Sequence, residues 1–228
     1  RASDWSSDVC SSDLSKAALR REKLKQETKI INEKQDKVKR ANEIEDNLYD
    51  LQLFKHFDKN GLKFDLNYYK VVPPQFKDWV FELTERNMKE MYEKTWGWNE
   101  KTKKQELYGE SAHYLIATTD DNKPIAFANI YFEFQDGKVR IYVMEFQVEK
   151  EYQHKGIGRF ILQAVEFIGL KRGMEMVALT VFRINVGAMN FYKKMHYTYH
   201  EYSPCVANPA DTSLDYEILV KSLVKKTN

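Results

Sequence analysis

The apolar residues of this chain change period at a single glycine-bearing join. From Val139 to Val148 they read as a strand, whereas Ile157, Phe160, Ile161, Ala164, Val165 and Ile168 line one helical face that ends near Gly169 or Gly173. Between the two stands Gln153-His154-Lys155-Gly156-Ile157-Gly158. Met176 to Phe182 then reads as a buried strand, so strand, helix and strand make a crossover unit. Upstream, Tyr114 to Thr118, Pro124 to Phe134 and Val139 to Val148 read as an antiparallel meander with turns at Asp120-Asp121-Asn122 and Asp136-Gly137. A crossover grafted on a meander predicts an α+β domain, with a mixed, mostly antiparallel sheet flanked by helices, rather than a doubly wound sheet.

Outside this unit, Asp58-Lys59-Asn60-Gly61 is a turn signal followed by the alternating Leu62, Phe64, Leu66 and Tyr68. After Pro73-Pro74, residues Phe76, Trp79, Val80, Leu83, Met88, Met91 and Tyr92 recur at helical spacing up to Gly97, within a Trp96-Gly97-Trp98 loop. Gly187 to Lys194 reads as a short helix, and Tyr197 to Tyr202 and Leu214 to Leu219 as the last strands. Ser15 to about Asn47 is a long charged helix whose apolar residues are too sparse for a heptad seam. Its first half is basic through Arg20, Arg21, Lys23, Lys25 and Lys29. That stretch is either a solvated face clasping the domain or a surface for a ribosome, nucleic acid or another acidic partner. Asp4 to Leu14 resembles the translation of a sequencing-library adapter, so residues 1–14 are expected to be a disordered artefact, Cys10 not native and the true amino terminus missing. The expected organisation is 1–14, a helical segment 15–52, one catalytic domain 53–221, and a basic tail 222–228.

With 36 basic against 34 acidic residues, no global field commits the chain to nucleic acid. The two cysteines, Cys10 and Cys205, have no paired spacing, and His56, His113, His196 and His200 suggest no metal site. No apolar run suits a signal peptide or membrane span, so a soluble, reduced, intracellular protein without metal is expected.

A loop that grips a pyrophosphate turns backbone N–H groups toward the anion, and the helix that follows adds its positive end. Gly156 and Gly158 allow close approach; His154, Lys155 and Arg159 add charge. Two glycines serve a plain strand-to-helix turn equally well. The run lacks the Gly-Lys-Ser/Thr ending of a Walker loop and the three-glycine dinucleotide fingerprint. Glu145 is the only acid in the strand Ile141 to Val148, where it is either a proton acceptor or a solvent-facing side chain. Tyr142 on the same strand either orients water or substrate, or only packs.

Gln153-x-x-Gly156-x-Gly158 resembles the acetyl-CoA signature of the GNAT acetyltransferase superfamily, and Asn185-x-x-Ala188-x-x-Phe191-Tyr192 resembles its second segment, a short helix beside the pantetheine arm. A closer resemblance covers about Leu53 to Leu219. Asp58-Lys59-Asn60-Gly61-Leu62, Asp78-Trp79, Asn87-Met88, Met91-Tyr92-Glu93, Trp96-Gly97-Trp98, Tyr114-Leu115-Ile116-Ala117, Leu179-Thr180-Val181-Phe182 and Tyr216-Glu217-Ile218-Leu219 are similar to the D class of N-alpha-acetyltransferases. Members of that class acetylate the amino-terminal Ser of histones of the H-four and H-two-A types.

The resemblance implies acetyl-CoA as donor, histone tails as acceptors, a monomer without membrane contact, and residence in cytoplasm and nucleus. It places the backbone of Phe146, Gln147 and Val148 on the pantetheine, His154, Lys155, Gly156, Ile157, Gly158 and Arg159 around the pyrophosphate, and Asn185 on the cofactor. Tyr92, Thr180 and Tyr216 would surround the acceptor's first residues, with Trp96 and Glu133 completing the mouth. Glu133 stands where relatives carry Asp, and Met144 where they carry a second substrate-contacting Tyr. Glu145 would take the amine's proton directly or through water, the N–H of Phe146 would meet the developing oxyanion, and Tyr192 would protonate the leaving thiolate or pack on the pantetheine. An α-amino group of pKa roughly 8 needs only modest help to lose its proton. Cys205 lacks a His partner, which disfavours a covalent acetyl-cysteine route. Two further readings stand beside this one. The same machinery would serve another protein terminus or a small amine, or a silent domain would dock a ribosome or chromatin through its basic helix, with Met144 as support.

Overall fold

The computed structural model describes residues 6–59, 61–211 and 213–224. Residues 1–5 of the adapter-like start and 225–228 of the basic tail fall outside them, as does the side chain of Cys10, while the backbone of 6–14 belongs to the first helix. The first helix, α1 (Ser6–Glu43), is exposed all along 18–33. It meets the body in its last turns, where Val38 and Ala41 join the core and Lys34 pairs with Glu175 at 2.8 Å. Then follow β1 (His56–Lys59), β2 (Leu62–Tyr69), α2 (Pro74–Lys94), α3 (Glu100–Leu107), β3 (His113–Thr118), β4 (Pro124–Gln135), β5 (Lys138–Val148), α4 (Ile157–Arg172), β6 (Met176–Phe182), α5 (Val186–Lys194), β7 (Thr198–Tyr199), α6 (Pro204–Ala207) and β8 (Tyr216–Ser222).

The strands form one sheet in the order β1-β2-β3-β4-β5-β6-β8-β7, antiparallel at every step except β5 to β6. This is the expected α+β architecture. The sheet is covered on both faces, so β3 is buried at every position whereas β5 alternates. Ile161, Val165 and Ile168 of α4 share one core with Phe64, Ile130, Ile141 and Val143; Val80 and Leu83 of α2 share the other with Leu107, Tyr114, Ile116 and Phe127.

Two irregularities in β5 make the site. Asn129 faces Glu145 while Ile130 faces Val143, so Met144 is an extra, unpaired residue, a β-bulge. Cross-strand partners share a face. Because Asn129 and Tyr131 lie two apart, their partners Glu145 and Tyr142 emerge on the same side of the sheet. Strict alternation would have put them on opposite sides. Secondly, β5 and β6 pair from Arg140 with Met176 as far as Val143 with Leu179, although both strands run on. Beyond that point they part.

The chain departs from the sequence reading in several places. β1 and α3 were not anticipated, α2 stops at Lys94 and β8 begins at Tyr216. β7 is only two residues long because Ser203 N bonds back to His200 O at 2.9 Å and Pro204 then starts α6. Cys205 accordingly lies in a helical turn.

Candidate active site

At the end of α2 the chain reverses, with Gly97 N donating to Tyr92 O at 2.6 Å. The reversal sends the two indoles opposite ways. Trp98 packs on Phe81 and Tyr92 at ring distances of 6.2 and 5.7 Å, whereas the half-exposed Trp96 leans on Phe182 and Tyr216 at 4.8 and 5.2 Å. Asn99 then caps α3 by accepting from Thr102 N at 2.9 Å. One turn into that helix, Lys103 turns inward and is buried, while its neighbours Lys101 and Lys104 are exposed.

A pocket of about 140 Å³ opens where β5 and β6 part. It is lined by Tyr142, Met144, Glu145, Phe146 and Gln147 from β5, Thr180 and Phe182 from β6, Tyr92 and Trp96 beside α2, Glu106 from α3, and Asn185 and Tyr192 at α5. Among the expected residues, these nine therefore come together: Tyr92, Trp96, Tyr142, Met144, Glu145, Phe146, Gln147, Thr180 and Tyr192, with Asn185 at the edge as a tenth. Tyr216 is one ring further out, against Trp96. Glu133 is not in the lining; its Oε2 accepts from Arg140 Nε at 3.0 Å and Nη2 at 2.8 Å.

Glu145 is 6% exposed. Its Oε1 accepts from Gln147 Nε2 at 2.6 Å, and Gln147 is itself held by Asn87 Nδ2 at 2.9 Å. Its Oε2 lies 3.6 Å from Lys103 Nζ. Burial pushes the Glu145 carboxyl above the usual range, and Lys103 and the Gln147 amide hold that rise back. A carboxylate whose pKa is raised is the stronger base, which suits it to take a proton. Lys103 Nζ also donates to Tyr92 Oη at 2.6 Å and meets Glu106 Oε2 at 2.6 Å. Burial works against its charge, but Glu145, Tyr92 and Glu106 outweigh burial and its pKa lies above the usual lysine value. Burial, and then the charge of Glu145, raise the Tyr92 phenol to about 12 and push Tyr192 higher still. Both keep their protons. Tyr142, also raised by burial, donates to Thr180 Oγ1 at 2.8 Å.

Beyond the pocket, Gln153 Nε2 donates to Val148 O at 3.2 Å and fastens the loop to the strand. Gly156 sits at φ 92° as the N-cap residue of α4, which has no side-chain cap, so the first N–H groups of a 16-residue helix face outward beside Lys155 and Arg159. Gly158 answers to packing as well, for a Cβ there would come 3.3 Å from the ring of Phe191. The side chain of Asn185 caps α5, accepting from Ala188 N at 3.1 Å. Free strand edge and bare helix end fit an extended, amide-bearing donor with a polyanionic end.

Sequence reasoning missed Lys103, Glu106, Met88 and Phe182. For Lys103 a signal existed: the Asn99 cap places it on the first turn of a helix whose next apolar residue, Leu107, is four positions on. Among the described residues no cluster of His, Cys, Asp or Glu could hold a metal ion.

Parted central strands, a buried carboxylate beside them and a glycine-led helix end define an acyltransferase. The acetyltransferase (GNAT) family matches residues 77–197, more than half of the chain, and the chain belongs to that family, whose donor is acetyl-CoA and whose acceptor is an amine. Solved structures agree in fold. Ard1 from Thermoplasma volcanium superposes with a TM-score of 0.52 and 15% identity over 71% of this chain and 99% of that one. The PaiA N-acetyltransferase from Thermoplasma acidophilum, in complex with coenzyme A, gives 0.52 and 18% over 71% and 99%. The ribosomal-protein-S18-alanine N-acetyltransferase from Escherichia coli gives 0.50 and 17% over 72% and 98%.

Proposed function

We propose that this chain is an N-alpha-acetyltransferase of the D class, transferring acetyl from acetyl-CoA to the amino-terminal Ser of histones of the H-four and H-two-A types. The observation that carries the proposal is the aromatic frame of Tyr92, Trp96, Phe182 and Tyr216 standing at the mouth of a pocket whose floor is Glu145. On this reading the frame favours a small first residue on the acceptor.

Bound acetyl-CoA supplies an activated carbonyl. The β5 edge at Phe146 to Val148 and the loop His154 to Arg159 bind the donor; Asn185 shapes the start of α5 beside it. Tyr92, Trp96, Thr180 and Tyr216 orient the acceptor, and Met144 adds an apolar wall where a hydroxyl was expected. Glu145 accepts the proton of the amine, with Tyr142 and Thr180 on the same side of the sheet to hold water or acceptor. The N–H of Phe146 meets charge on the carbonyl oxygen, and Tyr192, kept protonated by burial, offers its hydroxyl to the leaving sulfur. The reading extends to a monomer of the cytoplasm and nucleus, with the basic stretch 20–29 on α1 facing a ribosome. Among the described residues no helix is long and apolar enough to cross a membrane.

A second reading, another protein terminus or a small amine, is favoured by Glu133, whose charge is taken by Arg140 instead of being left for a basic acceptor residue. A catalytically silent ribosome- or chromatin-binding module rests on Met144 alone. Labelled acetyl-CoA offered to a Ser-Gly-Arg-Gly peptide, spermidine and internal-Lys peptides separates the three. The expected outcome is the highest kcat/KM for the terminal-Ser peptide. Equal or better turnover of the others ends the histone reading, and no turnover of any acceptor ends the enzymatic one.

A further inference from the structure

We propose that Lys103 is a positioning residue of the acyl-transfer site: its ammonium, wedged between Glu145, Glu106 and Tyr92, keeps the Glu145 carboxylate charged and aimed into the pocket, and pins the Tyr92 ring at the entrance. The proposal rests on Glu145 as the proton acceptor.

Lys103 is 4% exposed on a helix of eight residues whose other lysines face solvent. A buried lysine opposite a buried carboxylate is not needed for packing, since an apolar side chain of equal length fills such a site as well or better. The charge is what an apolar residue cannot supply. Oε1 of Glu145 is fixed by Gln147, and Oε2 is left to the ammonium at 3.6 Å, too long for a hydrogen bond and short enough for an ion pair. The carboxylate is thus stabilised without its last acceptor site being used up. The short contact of Lys103 to Tyr92 Oη, 2.6 Å, ties α3 to α2 across the pocket mouth, while its contact to Glu106 Oε2, also 2.6 Å, holds the ammonium from within α3. In accepting from Lys103, the Tyr92 oxygen leaves its own proton free for the pocket.

The charged or titratable groups around Glu145 are Lys103 and Glu106 from α3, Tyr92 from α2, Tyr114 from β3, Tyr142 from β5 and Tyr192 from α5. Lys103 is the cation among them; Glu106 opposes it, raising the Glu145 pKa. Two substitutions on α3 therefore act in opposite directions. In the full chain carrying carboxyl-labelled glutamate, the Glu145 resonance, assigned by its loss in Glu145→Gln, reports the titration without any acceptor. We expect Lys103→Met to move its midpoint up by about one pH unit or more, Lys103→Arg to leave it close to that of the unmodified protein, and Glu106→Gln to move it down. Glu106 is partly exposed, so the last variant carries the test even where the buried substitution fails to fold. A midpoint unmoved by Glu106→Gln and Lys103→Met overturns the proposal. The acidic limb of kcat/KM, taken with the best acceptor, is expected to move with the midpoint. A midpoint that moves while the limb stays refutes Glu145 as proton acceptor, and with it the part of Lys103 in the chemistry.

Discussion

Arg140 binds Glu133 through two nitrogens and lies over the ring of Tyr142, 5.1 Å from its centre. One side chain thereby neutralises the carboxylate that the acceptor's basic residue would seek. In Arg140→Val, Glu133 is freed, and the KM of a peptide with Arg near its amino terminus is expected to fall about threefold to tenfold, the worth of one partly exposed charge pair, with kcat little changed. Steady-state kinetics with Ser-Gly-Arg-Gly and an Arg-free peptide checks this; equal responses of both peptides place Glu133 away from the acceptor. Arg140 drew no notice in the sequence because its alternating strand position reads as solvent-facing. Lys103 was lost for a similar reason, since Lys101, Lys103 and Lys104 together look like a charged surface run and only the helix phase sends one of them inward. Glu145 was legible because it interrupts an apolar strand.

At the level of elements, α3 matters beyond its eight residues because it carries Lys103 and Glu106 to the pocket. Its first turn hangs on the Asn99 cap. Asn99→Ala is expected to cost about 1 kcal/mol and Asn99→Asp very little, as read by urea denaturation. Equal losses in the two variants would mean that the cap is not what holds the helix. The helix escaped the periodicity because a single apolar residue, Leu107, anchors it and the rest is polar. The strands of the meander and the crossover helix were legible, their periods being set by burial on two faces. The bulge at Met144 was not, since one added residue leaves the local pattern of a strand unchanged and shows itself only in the partner's register.

Across the whole molecule, α1 is bound to the catalytic body by a chain of polar groups. His113 Nε2 meets Asn42 Oδ1 at 2.8 Å, Tyr68 Oη meets His113 Nδ1 at 2.7 Å, Asn47 Nδ2 donates to Tyr68 Oη at 2.7 Å, and Arg172 reaches Asn47 and Asp50. Since Tyr68 accepts from Asn47, its proton goes to Nδ1, and His113 is held neutral. Burial, and then Lys70, depress its pKa from 6.5 to about 4. The unfolded imidazole protonates below 6.5 while the folded one does not, so stability is full above pH 6.5 and is lost as pH falls, by about 3 kcal/mol near pH 4. Urea denaturation between pH 7 and 4 tests this against His113→Gln, which is expected to show a shallower decline; parallel declines would clear His113 of the effect. The extra residue at 144 has a consequence of another kind. Tyr142 and Glu145 stand three positions apart and still face one pocket because the bulge absorbs the odd residue, so any side chain at 144 that keeps the bulge keeps the pair together. Removing that residue would leave the two on one face of a regular strand, without the kink; adding one between them, with the bulge kept, would turn Glu145 and everything after it on the strand into the hydrophobic layer under α4.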